Sequence, residues 1–248
     1  MRVLATYNIK GGVGKTSAAV NLAFLSAREG SRTLLWDLDP QGAASYLFRV
    51  RPRVRGGVKA LVRGRTSADR AIKGTDFDNL DLLPSDFSYR NMDLALDAAK
   101  RSTRRISELL RPLASEYDTV FLDCPPSVSL VSEGVLRAAD TLLVPVVPAT
   151  LSVRTLDQLT AFVAAARPPR PRILAFFSMV DSRRRLHRDT VAQLSTERSD
   201  VAAAAVPAAS AVEQMGPRRL PLVAFAPHSA AALAYQQLWA EVKELATR

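Results

Sequence analysis

Lys10-Gly11-Gly12-Val13-Gly14-Lys15-Thr16 is the stretch of this 248-residue chain in which residue type and spacing speak most directly of chemistry. Closely spaced glycines let a backbone curl around a ligand with no Cβ in the way and aim successive N–H groups inward. A lysine and a hydroxyl residue directly after the last glycine add a mobile cation and a hard oxygen donor. Lys15 would reach β- and γ-phosphate oxygens, and the Thr16 hydroxyl would be a Mg2+ ligand. The cradle is read as Gly11, Gly12, Val13, Gly14, Lys15, Thr16 and Ser17. Residues 3–7 before it have the apolar character of a strand, and residues 16–29 after it have helical spacing. The loop therefore opens a helix N-terminus, whose unpaired N–H groups and positive dipole end suit an anion.

Two further segments end in carboxylates. Leu34-Leu35-Trp36-Asp37-Leu38-Asp39-Pro40-Gln41-Gly42 is an apolar strand followed by Asp37 and Asp39, and residues 117–127 hold a second one ending in Asp123. Strand tips of a parallel sheet converge on ligands, so carboxylates there can hold Mg2+-bound waters or orient an attacking water. Either segment alone could equally be an ordinary turn or a helix N-cap. Together with the glycine loop, in this order along the chain, they read as a nucleotide site with Asp37, Asp39 and Asp123 near the metal.

The elements that must position these residues alternate from end to end. Apolar runs at 3–7, 33–37, 80–83, 119–122, 141–147, 173–178 and 222–225 predict strands. Patterns at 16–29, 102–113, 132–139, 156–166, 188–197 and 230–246 predict helices, with Gly30 stopping the first. That alternation implies an α/β protein with a parallel sheet covered by helices. In the last helix, Leu233, Leu238, Val242 and Leu245 recur beside Trp239 and predict a core-packing face; Glu241 and Glu244 on its polar side argue against a basic membrane-surface helix. Residues 49–65, rich in arginine with Pro52 and Gly56-Gly57, predict a mobile surface segment.

Composition narrows the classes. Cys124 is the sole cysteine and there are two histidines, which argues against an internal disulfide, a zinc site or an iron–sulfur cluster within one chain. No apolar stretch is long enough to cross a bilayer, and the first residues lack the core of a secretory signal, so a reducing cytoplasm is expected. Lys plus Arg number 34 against 24 Asp plus Glu, a formal charge of +10, with 28 of the cations arginine. GC-rich codon usage can produce that skew, but the excess also raises affinity for polyanions such as DNA or anionic lipid.

The glycine loop departs from the usual P-loop: Ile9 stands where the first glycine is expected, and Lys10 precedes the glycines. This resembles the deviant Walker A motif of the ParA/MinD family of P-loop ATPases, and the likeness extends over almost the whole chain. It implies a P-loop NTPase fold, a mainly parallel twisted sheet with helices on both faces, in a single domain over residues 1–248. It assigns Lys10 to the partner's nucleotide across an ATP-bound homodimer, Asp39 to the hydrolytic water with Asp37 in support, and Met179 and Pro207 to the two sides of the adenine. The family's Ser-Glu-Ala-Pro segment is replaced around residues 210–217, which resembles orphan members more than the best-known segregation proteins.

ATP with Mg2+ then acts as a timer for assembly. Two basic faces joined by dimerisation bind a polyanion more tightly than either alone. Arg183, Arg184, Arg185 and Arg188 form one candidate DNA-binding cluster and Arg218 with Arg219 another, the alternative being a solvated helix face. The expected protein is a nucleoid-associated, DNA-binding ATPase that partitions a chromosome, plasmid or other cargo, with a ParB-like or other partner stimulating hydrolysis. The rivals are a MinD-like membrane ATPase and an ATP-dependent biosynthetic synthetase of related fold.

Overall fold

The computed structural model describes residues 1–99, 102–166 and 168–247; Arg248, the last residue of the expected domain, lies outside the described residues. Within them, strands β1 (Arg2–Thr6), β2 (Thr33–Asp37), β3 (Lys73–Gly74), β4 (Leu80–Leu83), β5 (Thr119–Asp123), β6 (Thr141–Val146), β7 (Arg172–Val180) and β8 (Val201–Pro207) form one sheet. Their order is β3-β4-β2-β5-β1-β6-β7-β8, and every neighbouring pair is parallel except β3 with β4. The helices are α1 (Lys15–Arg28), α2 (Ala43–Leu47), α3 (Gly57–Val62), α4 (Ala68–Ala71), α5 (Met92–Asp97), α6 (Arg105–Leu110) and α7 (Leu130–Ala138). After them come α8 (Thr150–Ala165), α9 (Arg185–Glu197), α10 (Ser210–Glu213), α11 (Met215–Arg218), α12 (Leu222–Phe225) and α13 (Ala230–Thr247).

The central strands are apolar on successive residues because both of their faces are covered. Val3, Ala5, Leu34, Trp36, Val120, Leu122, Leu142 and Val144 point to one side, into a cluster with residues of α3 to α8. Leu4, Leu35, Phe121 and Leu143, the residues between, point to the other, against α1, α2, α12 and α13. The alternation makes the core two layers deep and leaves the strand tips free to carry polar groups.

The eighth strand is β8, and residues 222–225 are a helical turn, so the strand expected there is corrected. Alanine is a poor strand former, which hid Val201-Ala202-Ala203-Ala204-Ala205-Val206-Pro207; pairing with β7 and covering by α13 override the propensity. Leu222 and Val223 are buried, and the Val223 N–H donates to Asn21 Oδ1 on α1. In α13 the buried stripe is Ala231, Tyr235, Leu238 and Val242, while Leu233 is 51% exposed, contrary to the expected face. Steps of four, three and four keep the stripe at one azimuth, and position 233 falls off it. Both oxygens of Glu241 accept backbone N–H groups of β8, at 2.9 and 2.8 Å, so this part of the polar face is anchored to the sheet edge. Among the described residues no helix is long and apolar enough to cross a membrane.

Residues 49–65 are also anchored. Val54, Val58, Leu61 and Val62 are buried, the Val54 N–H donates to Asp86 Oδ2 and the Val58 N–H to Ser88 Oγ. The arginines that suggested a mobile segment decorate the outside of a packed strap.

Candidate functional site

β1 runs into the glycine loop at the centre of the sheet, and α1 leads out of it. Asn8 pins the entry: its Oδ1 accepts the Lys10 N–H at 2.9 Å and its Nδ2 donates to the Pro145 carbonyl at 2.8 Å. Gly12 and Gly14 adopt φ of 68° and 94°, the left-handed region that glycine enters without a Cβ clash. Gly14 is the N-cap of α1 and no side chain caps the helix, so its first N–H groups face the cradle unpaired. Lys15 is buried, and its ammonium donates to the Lys10 carbonyl at 2.8 Å. Burial lowers its pKa, opposed chiefly by the nearby Asp123.

The three acids divide by environment. In register, Thr6 and Asp37 both lie beside Asp123, so the tips of β1, β5 and β2 form one row. Asp37 is fully buried; its Oδ2 accepts the Ser45 N–H and hydroxyl at 2.9 and 2.7 Å, and its Oδ1 the Asp39 N–H at 3.2 Å. Burial pushes its carboxyl up to about 6 against those bonds. Asp123 is raised well above the ordinary carboxylate value, first by burial and then by Asp37. Its Oδ1 accepts the Thr6 hydroxyl at 3.4 Å, but its Oδ2 is buried with no hydrogen-bond partner. Asp39 is half-buried and faces the cavity.

That unpaired oxygen beside Lys15 fits a hydrated cation, whose bound water can donate to it. Among the described residues no three His, Cys, Asp or Glu side chains form a metal cage, so a cation here draws on the Thr16 hydroxyl, water and phosphate oxygens. The unpaired N–H groups and the Cβ-free loop likewise fit a polyphosphate.

A cavity of about 390 Å3 opens over the loop. Gly11, Gly12, Gly14, Lys15, Thr16, Ser17 and Asp39 line one side of it, and Met179 and Pro207, far apart in sequence, are brought to it by β7 and β8. Met179 holds a φ of 57°, rare for a residue with a side chain. Pro126, Ser178, Glu213 and Tyr235 also line the cavity and were missed, although Ser178 adjoins Met179 and Pro126 lies in the segment that ends in Asp123. Four expected residues stay outside. Val13 is buried beneath the loop, Asp37 and Asp123 sit behind it, and Lys10 turns away to donate to Ser152 Oγ at 3.3 Å on α8. A Cβ on Gly14 would lie 2.7 Å from Ser178 Oγ, at a φ that side chains avoid. Gly14→Ala is expected to weaken binding of a fluorescent ATP analogue about 10- to 100-fold, read by titration, with the melting temperature recorded in parallel.

The arginine clusters lie apart from the cavity. Arg183 pairs with Asp181 at 3.0 Å, Arg185 with Asp189 at 3.3 Å, and Arg188 donates to the Ser182 and Arg183 carbonyls, while Arg184 is exposed. Arg218 lies over the Phe225 ring, and Arg219 lies over the Tyr46 ring and donates to the Tyr46 carbonyl at 2.9 Å.

A strand, glycine turn and helix N-terminus at the middle of a mainly parallel sheet, with carboxylates at adjacent strand tips, define a P-loop nucleotide-binding fold. A family model described as an AAA domain matches residues 1–172. The chain belongs to that family, as a ParA/MinD-type P-loop ATPase. It is 35% identical over 160 residues to the chromosome partitioning protein ParA of Myxococcus xanthus, covering 64% of this chain and 56% of that one. It is 28% identical to the chromosome-partitioning ATPase Soj of Treponema pallidum, over 97% of this chain and 96% of that one. The matched stretch spans between 44% and 64% of the length of the first five curated relatives. Among solved structures, cobyrinic acid a,c-diamide synthase from Mycobacterium smegmatis, with bound ATP analogue and magnesium, superposes with a TM-score of 0.79 at 25% identity. That likeness covers 97% of this chain and 93% of the synthase.

Proposed function

We propose that this chain acts as a single domain over residues 1–248 that hydrolyses ATP within an ATP-dependent homodimer, and that the dimer binds non-specific DNA to position a chromosome, plasmid or other cargo. The observation that carries this reading is the direction of Lys10. Its ammonium contacts Ser152 outside the cavity of its own protomer, while the glycine loop and Lys15 complete that cavity without it. A loop lysine that its own site does not use is free to meet the triphosphate of a second copy.

Bound ATP supplies the phosphoanhydride cleaved to ADP and phosphate, and bound Mg2+ offsets the charge on its oxygens. The backbone N–H groups of residues 11–17 hold the phosphates. Lys15 exchanges the Lys10 carbonyl for a phosphate oxygen, and Thr16 with Asp123 holds the hydrated cation. Asp39 accepts a hydrogen bond from the attacking water, positioned by its N–H bond to Asp37, and Met179 and Pro207 enclose the adenine.

Arg218 and Arg219, with Arg183 to Arg185 and Arg188, supply the DNA face; a ParB-like or other partner stimulates hydrolysis, in a cytoplasmic, nucleoid-associated setting. The partitioning names of the relatives support this assignment. Its test is the affinity of the ATP-loaded protein for duplex DNA. Arg218→Glu with Arg219→Glu is expected to weaken binding about tenfold at physiological salt, and equal affinity removes this face. The likeness to the diamide synthase favours a second reading, an ATP-dependent amidating synthetase. ATP turnover that ignores DNA and rises only with a small carboxylic acid would select it.

A further inference from the structure

A second cavity, of about 770 Å3, lies apart from the glycine loop. It lies between the strap that follows α2 and the sheet edge at β3. Arg49, Arg51, Arg53, Arg55, Arg70 and Lys73 line it, with Asp76 as its only acid. Residues 49–76 contain nine Lys or Arg against Asp69 and Asp76, so this stretch carries +7 of the chain's +10.

The strap is held firmly beneath these charges. Val50 is buried with the α1 side of the core and Val54 with the opposite side, so the chain crosses the sheet edge between them. A tight turn at Pro52, with the Arg53 N–H on the Arg51 carbonyl at 2.8 Å, and the bond from Val54 to Asp86 set its path. Among the described residues, Arg49 alone of the six has an ion pair, with Asp76 at 3.6 Å. Arg51, Arg53, Arg55, Arg70 and Lys73 are exposed, with Arg70 near the acid Asp69.

The groove also joins the Arg218–Arg219 pair. Arg49 donates to the Arg218 carbonyl at 3.1 Å, and Arg219 donates to the Tyr46 carbonyl of α2. Arg49 and Arg219, at φ of 58° and 53°, each end a helix in the left-handed conformation that glycine would adopt without strain. Arginine stands at both positions although glycine would suit the backbone better. Non-glycine residues in that region concentrate at functional sites.

We propose that this groove is a second polyanion site, which receives the phosphodiester backbone of duplex DNA and extends the Arg218–Arg219 face into one continuous tract. The cations come from three separate elements and line an open groove instead of converging on one point, which suits a repeating phosphate chain better than a single phosphate group. No exposed aromatic ring lines it, so it offers phosphate contacts without base stacking, and binding there is sequence-independent. The tract is also tied to the nucleotide: α2, which leads into the strap, carries the Ser45 that grips Asp37.

This inference rests on the DNA-binding reading above, and one titration separates the two. Fluorescence anisotropy of labelled duplex DNA is followed with the full-length, ATP-loaded protein from about 50 to 200 mM salt. Arg51→Glu with Arg53→Glu and Arg70→Glu is expected to lower affinity about 10- to 100-fold and to flatten the log–log salt slope by about 2.7, close to 0.9 per lost phosphate contact. Its ATP affinity and melting temperature are expected to stay at the wild-type values. The corresponding triple lysine variant is expected to keep most of the slope, because a phosphate contact needs the charge. Wild-type affinity and slope in the glutamate variant overturn the groove, as does equal loss in the lysine variant, which would make the arginines packing groups. Inorganic polyphosphate binding that depends on these residues, with DNA binding that does not, overturns the choice of ligand. Absence of ATP-dependent DNA binding in the wild-type protein removes the functional reading itself.

Discussion

Lys15→Ala is expected to reduce ATP affinity about 100- to 1000-fold and to leave no measurable hydrolysis. The ammonium sits in a buried pocket in contact with the Lys10 carbonyl and near Asp123 and Asp39, where burial already disfavours its charge. A triphosphate entering the cradle brings several negative charges to a place where water is largely excluded. Removing the buried partner of such a charge pair costs about 2 to 5 kcal/mol, because the remaining charge is left uncompensated. Isothermal titration with a non-hydrolysable ATP analogue reads the loss directly. Arginine is not an adequate substitute, since a planar fork cannot take the path of a slender ammonium through a tight loop. Retention of affinity within about threefold in Lys15→Ala would mean that the backbone N–H groups hold the nucleotide alone, and the assignment of Lys15 would fail.

Asp39→Ala is expected to have the opposite profile: hydrolysis falls about 100- to 10,000-fold while ATP affinity stays within about threefold. The cradle, Lys15 and Thr16 are untouched by the change, and Asp39 bonds only locally, its Oδ1 accepting the Gln41 N–H and its own N–H donating to Asp37. What is lost is the carboxylate facing the cavity, which would orient the attacking water. Because Lys10 is proposed to meet the partner's nucleotide, blocked hydrolysis should hold the assembled state, and the variant should run as a dimer at saturating ATP on a sizing column. A monomeric elution position under those conditions contradicts the link between nucleotide and assembly. Wild-type hydrolysis in the variant contradicts the role of Asp39.

Most of the candidate phosphate site was legible in the chain because it is built from local segments. A strand, a glycine loop and a helix start lie within residues 2–28, so their geometry follows from neighbours in sequence. Asp37 and Asp123 end apolar strands, and the parallel register then sets them side by side. The helix expected at 102–113 was only partly right: Pro112 converts its end to a 3-10 turn, since proline removes an N–H and clashes with the preceding turn. Less legible were the features that depend on distant partners. An alanine-rich stretch became β8 because β7 and α13 were there to pair with and cover it. The arginine-rich segment read as loose because its charges conceal the buried valines at 50, 54, 58 and 62.

Residue order alone therefore determined the α/β architecture, the anion cradle and the acids that accompany it, since glycine conformations, strand hydrophobicity and helix-end electrostatics act over a few residues. The tertiary structure decided the rest. It turned Lys10 toward Ser152, brought Met179 and Pro207 to the same cavity, withdrew Asp37 behind Ser45, and laid Arg49 against the Arg218 backbone. Asp37 and Ser45 are eight positions apart, but the other three join residues tens to more than a hundred positions apart. Only packing of the complete sheet, where burial and shape select one arrangement of side chains, can bring such residues together.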